Sequence, residues 1–203
     1  MWFQDAARAA AIVAILANRA FASQQNGHGP HVVVAVLNDA EVSPNVIRSA
    51  QASLITIFEA IGVTAVCVDT YAGDRAVLVV RIVDEEAAER LKAPPGSIGL
   101  ALANGHRRGW LAYVFYDRIE GISDRNRLDI SAMLAAAIAH ELGHLLLAPG
   151  GHSDGGLMRP DWNRADLLTA GGRGLRFNAK QGALIRAALE EEFDRRPNTP
   201  GAS

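Results

Sequence analysis

The chain reads as an α/β (α+β) domain, and three observations predict this class. Runs of consecutive branched residues, such as Val32-Val33-Val34-Ala35-Val36-Leu37, read as buried strands. Other stretches place apolar residues three and four apart, the period of a helix with one face in a core. The two kinds follow one another as strand, helix, two strands, a short helix, two more strands, a long helix, and then a C-terminal helix. Hydrophobic residues make up 49% of the 203, enough for a sizeable core.

His31 to Leu37 is the first strand, ended by Asn38-Asp39. Ser43 is a candidate N-cap, with Pro44 at the first helical position, where a missing N–H costs nothing. The helix that follows runs to about Ile61. Val46, Ile47, Ala50, Leu54, Ile57, Phe58 and Ile61 fall on its core side, and Gly62 ends it. Val63 to Asp69 and Ala76 to Val83 are strands either side of a Tyr71-Ala72-Gly73-Asp74 turn. Glu85 to Lys92 is a short polar helix closed by Pro94-Pro95-Gly96. Ile98 to Leu102 and Trp110 to Ile119 are two further strands, joined through Asn104 to Gly109. Asp117 to Arg127 reads as a charged loop.

Ile130 to Leu147 is apolar nearly all round, which predicts a helix buried in the core. Asp129 is its N-cap, with a charge that suits the helix dipole. Into this helix the sequence puts His140, Glu141 and His144. Burying those groups unpaired is costly, and a bound metal removes most of that cost. Residues four apart on a helix lie nearly above one another, so His140 and His144 can point two imidazoles at one ion. Glu141 lies within reach of a water on that ion, as general base. A third ligand must come from another direction. Pro149 disfavours helical geometry at Ala148, Gly150 and Gly151 permit a reversal, and His152 follows. Three protein ligands with a fourth position left for water describe a catalytic zinc centre holding one ion.

The run from His140 to Met158 resembles the metzincin clan of zinc metalloproteases, whose pattern is H-E-x-x-H-x-x-G-x-x-H followed by a methionine turn. The resemblance is nearest the matrix-metalloproteinase style, on His152-Ser153 and Leu157-Met158. It implies His140, His144 and His152 as the metal ligands, Glu141 as the base, and Met158 as the floor beneath the zinc. It also implies a twisted mixed sheet with a backing helix, an active-site helix and a C-terminal helix. The last strand before the zinc helix would border the cleft, with Tyr113, Phe115 and Tyr116 as candidates to line it. The resemblance covers about twenty residues. Leu147 stands where the family has glycine, His152 arrives two residues late, and Pro160 stands where some members carry tyrosine. These departures point to a divergent, bacterial-type branch. Asp154, close behind His152, is a candidate acceptor for an imidazole N–H.

After Met158 the chain reads as irregular through a Gly171-Gly172-Arg173-Gly174 turn. Asn178 caps a last helix to about Phe193, carrying apolar Leu184, Ile185, Ala188 and Leu189. Residues 31–193 are expected to form one catalytic domain, followed by a disordered tail over 194–203.

Residues 1–22 read as a secretory signal: Ala9 to Ala17 is a short apolar run behind Arg8, and Ala20-Phe21-Ala22 has an A-x-A pattern. The alternative is an alanine-rich amphipathic helix. Residues 23–30 read as a linker. The signal reading makes the protein secreted or periplasmic, and the alternative makes it cytoplasmic. No apolar run is long enough to span a membrane. The net charge of −2, with no Lys/Arg cluster, argues against a nucleic-acid partner. The single cysteine, Cys67, excludes an internal disulfide and reads as a packed thiol in a strand, the alternative being a thiol that masks the zinc. His28, His31 and His106 read as surface residues.

The expected function is that of a zinc metalloendopeptidase acting on peptide or protein substrates. Its metal-activated water attacks the peptide bond, with Glu141 as general base. Two alternatives stay open: an inactive domain of the same kind that binds peptide or zinc, and a zinc hydrolase of non-peptide amides or esters.

Overall fold

A computed structural model describes residues 29–71, 77–104, 107–147, 151–171 and 174–194. Five strands form one sheet: β1 (His31–Asn38), β2 (Thr64–Val68), β3 (Val77–Val83), β4 (Gly99–Asn104) and β5 (Arg107–Phe115). The helices among these residues are α1 (Pro44–Glu59), α2 (Glu85–Arg90), α3 (Tyr116–Asn126), α4 (Ile130–Leu146), α5 (Arg164–Gly171) and α6 (Ala179–Asp194). The strand order is β2-β1-β3-β5-β4. All neighbours pair in parallel except β4, which lies antiparallel to β5 at one edge. The mixed α/β class is the one the sequence predicts.

Alternation along the strands separates two cores. Ala112 and Val114 of β5 join the large core with Leu134, Ile138 and Leu142 of α4 and Leu54 and Phe58 of α1. Phe115 faces the other way and packs with Val83 and Ala88, alongside Leu100 and Tyr113. Tyr113 and Phe115 therefore lie on the sheet face away from α4 and do not line a cleft beside it. Tyr116 is a half-buried residue of the large core. The strand at the α4 cleft is also not the last one before the helix: β5 is interior, and β4 forms the edge.

The expected loop from Asp117 to Arg127 is helix α3, and the preceding strand stops at Phe115 instead of Ile119. Ile119 and Ser123, four apart, are buried, Tyr116 and Ile122 pack against the large core, and five of the other residues are charged. The charge density hid a helical period. The stretch after Met158 is likewise not all irregular. Asn163 caps α5, its side-chain oxygen accepting from the Ala165 and Asp166 N–H groups at 2.8 and 3.0 Å. Asp166 reciprocates by accepting from the Asn163 N–H at 3.0 Å. Asp129 caps α4 as expected, accepting from the Ala132 N–H at 2.9 Å. Ser43 precedes α1 but makes no capping bond; Pro44 at the start of the helix has no N–H to satisfy. The helix ends at Glu59, and Gly62 turns the chain at φ +73°.

Arg118 of α3 fixes the approach to β4. Its guanidinium donates to the carbonyls of Pro94 and Ser97 at 2.9 and 2.8 Å and pairs with Glu85 at 2.6 Å. It also lies 4.9 Å over the Phe115 ring. The turn that feeds the edge strand is thereby held from below.

Cys67 lies in β2, at the opposite sheet edge from β4, so the masking alternative places it on the wrong side of the molecule. Burial pushes its thiol up to about 11. The thiolate is the reactive form. Alkylation is therefore expected to be slow at pH 7 and to accelerate with pH until about 11. Rapid labelling of the folded protein at pH 7 would contradict this.

No helix among the described residues is long and apolar enough to cross a membrane. The expected signal, most of the linker, the tail from 195, His28, His106 and Pro149-Gly150 lie outside the described residues. So do Ala72 to Asp74 of the first turn and Gly172-Arg173 of the last.

Candidate metal centre

Helix α4 supplies two of the three imidazoles. It is buried along most of its length, and His140 and Glu141 are only 7% and 5% exposed. The Nδ1 of His140 lies 2.7 Å from the carbonyl oxygen of Leu157. A carbonyl only accepts, so Nδ1 carries the proton and Nε2 keeps a free lone pair. Burial lowers the pKa of His140, against the Leu157 bond that raises it. Burial, and then the neighbouring His140 and His152, push His144 down to about 4. Both rings are thus neutral near pH 7, as metal ligands must be.

The Nε2 atoms of His140 and His144 face each other at 3.1 Å. Two lone pairs do not face each other unaided, so either a proton or a metal ion belongs between them. The His152 ring closes the group, with its centroid 4.6 Å from that of His144 and 5.7 Å from that of His140. One ligand atom from each residue lies within 4.8 Å of the others. Tetrahedral zinc with Zn–N bonds of about 2.0–2.1 Å needs nitrogens about 3.3 Å apart. The α4 pair already meets that spacing. His152 is exposed and follows Gly151, so it can close the remaining gap. The three imidazoles could hold a zinc ion.

Below the helix, Met158 is fully buried. Gly143 lies in the turn between His140 and His144, and a Cβ there would overlap the Met158 sulfur and crowd the Phe177 ring. Trp162 donates its Nε1–H to Leu157 O at 3.1 Å and meets the His140 ring edge-on at 5.8 Å. One backbone oxygen thus holds both His140 and Trp162. Asp154, the acceptor expected from the sequence, is exposed and bonds no imidazole among the described residues; Leu157 takes that role for His140.

Glu141 faces β4. The Phe115 N–H donates to Ile98 O at 3.0 Å, and bonded pairs alternate along an antiparallel ladder. Leu100 and Leu102 therefore bond toward β5, while the N–H and C=O groups of Gly99 and Ala101 point to the open edge. The Ala101 N–H is taken by the Glu141 carboxylate. A Cβ at Gly99 would come within 2.6 Å of the Cγ, Cδ and Oε1 of Glu141, closer than van der Waals contact allows, so glycine permits this approach. Burial pushes the Glu141 carboxyl up to about 8, against the smaller opposing effect of the Ala101 bond.

The structure brings together His140, His144, His152, Glu141 and Met158, all named from the sequence. It adds Gly99, Ala101 and Trp162, and gives the carbonyl of Leu157 a part that the sequence motif did not announce. The first two act through the main chain of a distant strand, and no local pattern announces that. Trp162, four residues after Met158, carried no motif.

No protein-family model and no curated protein matches this chain. Among solved structures, a zinc-dependent peptidase from Methanocorpusculum labreanum (strain Z) is similar at 15% identity and a TM-score of 0.49, over 75% of this chain and 99% of that one. A Thermotoga maritima protein known from a solution structure is similar at 12% identity and a TM-score of 0.36, over 84% of this chain and 99% of its own. Both likenesses are distant, and the site is defined by the residues of this chain alone.

Proposed function

We propose that this protein is a zinc-dependent peptidase of the metzincin type, with zinc on His140, His144 and His152. The observation that carries the reading is the convergence of three imidazoles beside a buried carboxylate that no cation neutralises among the described residues. When bound, the zinc supplies Lewis acidity, polarising a carbonyl and making a neighbouring water more acidic. Glu141 takes the proton of the attacking water and passes it to the leaving amine. In the metal-free protein this carboxyl, at about 8, is largely protonated at pH 7. Beside the positive charge of a bound zinc it would be lowered, which frees the base, and its affinity for a proton then suits it to hold one between those steps. The open edge of β4 offers the N–H and C=O of Gly99 and the C=O of Ala101 to an extended chain, which favours a peptide over a small ester or amide. Met158 is the methionine turn of this reading.

The purified protein is expected to carry one zinc ion and to cleave members of a mixed peptide library. Zinc-loaded protein that hydrolyses simple amides or esters but no peptide would overturn the peptidase reading. Zinc-loaded protein that hydrolyses nothing would make it a binding domain.

Gly99→Ala tests the placement of the base. The three atoms nearest the added methyl all belong to the Glu141 side chain, from Cγ outward, so the carboxylate is the group expected to shift. A displacement of about 1 Å can cost on the order of 10²-fold in rate. Hydrolysis is expected to fall by about 10- to 100-fold with zinc content unchanged. An unaltered rate would mean that contact with β4 does not position the base.

A further inference from the structure

His152 is the least secured of the three imidazoles. His140 and His144 stand on a buried helix, whereas His152 is exposed and its ring makes no hydrogen bond among the described residues. The next residue is what holds it. The Ser153 N–H donates to Met158 O at 2.9 Å, and its hydroxyl donates to Gly155 O at 2.8 Å. That hydroxyl also accepts a bond at 2.9 Å from the Nε2 of Gln181, on helix α6.

Gln181 is a buried polar residue, 6% exposed, and both ends of its amide are used. Its Oε1 accepts from the Asn178 N–H at 2.9 Å, while its own N–H donates to Asn178 Oδ1 at 2.9 Å. This is a reciprocal helix cap, and it fixes the direction of the amide. The Nε2 is left to point out of the cap and into the ligand loop. Helix α6 is itself anchored: Ile185 and Ala188 are buried, Gly182 sits against Ile61, and Arg186 donates to Ile61 O at 2.7 Å.

We propose that Gln181 is a positioning residue for the metal centre, tying the His152 loop to the anchored start of α6 through the Ser153 hydroxyl. The inference rests on His152 being the third ligand. Two ligands from one helix cannot set the angle of the third, and a loop free to swing lowers affinity through the disorder it must lose on binding. The Asn178 cap was legible in the sequence, but the two bonds of Gln181 were not; Ser153 lies 28 positions away from it.

Gln181→Glu separates the two uses. Glutamate keeps the oxygen that accepts from the Asn178 N–H but lacks the donor for Ser153. The Ser153 hydroxyl already donates to Gly155 O, so it cannot also satisfy a carboxylate without giving up that bond. The new negative charge acts whether or not Ser153 is present, so a double-mutant cycle with Ser153→Ala cancels it. Zinc affinity is measured by chelator competition on the four full-length proteins, with thermal melting of each metal-free protein as the control for folding. Partners behind metal ligands typically contribute about 10- to 100-fold in affinity. Gln181→Glu is expected to weaken zinc binding about tenfold when Ser153 is present and to cause no loss in the Ser153→Ala background. The metal-free melts should stay cooperative. An equal change in both backgrounds would overturn the proposal, as would an affinity loss matched by collapse of the metal-free melt. If wild-type protein binds zinc tightly and His152→Ala abolishes this, unchanged affinity in Gln181→Glu rejects the positioning role and leaves the site intact. Wild-type protein that takes up no zinc would reject the site, and this role with it.

Discussion

Glu141→Gln is expected to retain zinc and fold while hydrolysis slows by a factor on the order of 10²–10⁴, the usual scale for removing a general base. The substitution is nearly isosteric. The amide oxygen can still accept from the Ala101 N–H, so the side chain keeps its place against β4. What it loses is the ability to take a proton. In the proposed site the metal ligands are the neighbouring imidazoles, so zinc content should not follow activity down. Removing a carboxyl that burial pushes up to about 8 also relieves the metal-free protein of a desolvation cost, so the variant is expected to fold, which thermal melting checks. A Gln variant with near-normal peptide cleavage would contradict the role given to Glu141.

His152→Ala is expected to weaken zinc binding by roughly 10²–10³-fold, and activity at limiting zinc should fall with it. Structural zinc sites bind with about 10–16 kcal/mol, so one ligand of four accounts for roughly 3–4 kcal/mol. Of the three imidazoles, His152 gives the cleanest test. It is exposed, and its truncation leaves no cavity. His140→Ala should be at least as severe in zinc loss, but it also removes one of the two bonds to the Leu157 carbonyl and opens a hole beside a buried helix. Full zinc occupancy and activity in His152→Ala would place the third ligand elsewhere.

The parts of this protein that were legible in the sequence are those written in local period and spacing. The β-branched runs gave β1 and β3, the i, i+4 histidines gave the pair of imidazoles that α4 brings together, and Asp129 marked where that helix begins. Pattern failed where a signal had two readings. The charges of Asp117 to Arg127 concealed the buried Ile119 and Ser123, and so hid α3. The reciprocal pair Asn163 and Asp166 marked the start of α5, but the surrounding polar residues read as loop. Long-range geometry was beyond reach altogether. Nothing local in Gly99 says that a carboxylate from α4 will occupy its missing side chain, and nothing in Trp162 says it will share a carbonyl with His140. The strand beside the cleft was misassigned for the same reason. Strand order is a property of the sheet, and β4, preceding β5 in the chain, lies outside it.

The most direct test is a zinc-edge X-ray absorption spectrum of the purified protein, together with its metal content by elemental analysis. The expected result is one zinc per chain with three imidazole nitrogens at about 2.0–2.1 Å and one oxygen ligand in the fourth position. A chain that copurifies with no zinc and takes none up, or a spectrum with fewer than three imidazoles, would contradict the central claim that His140, His144 and His152 form a single catalytic metal site.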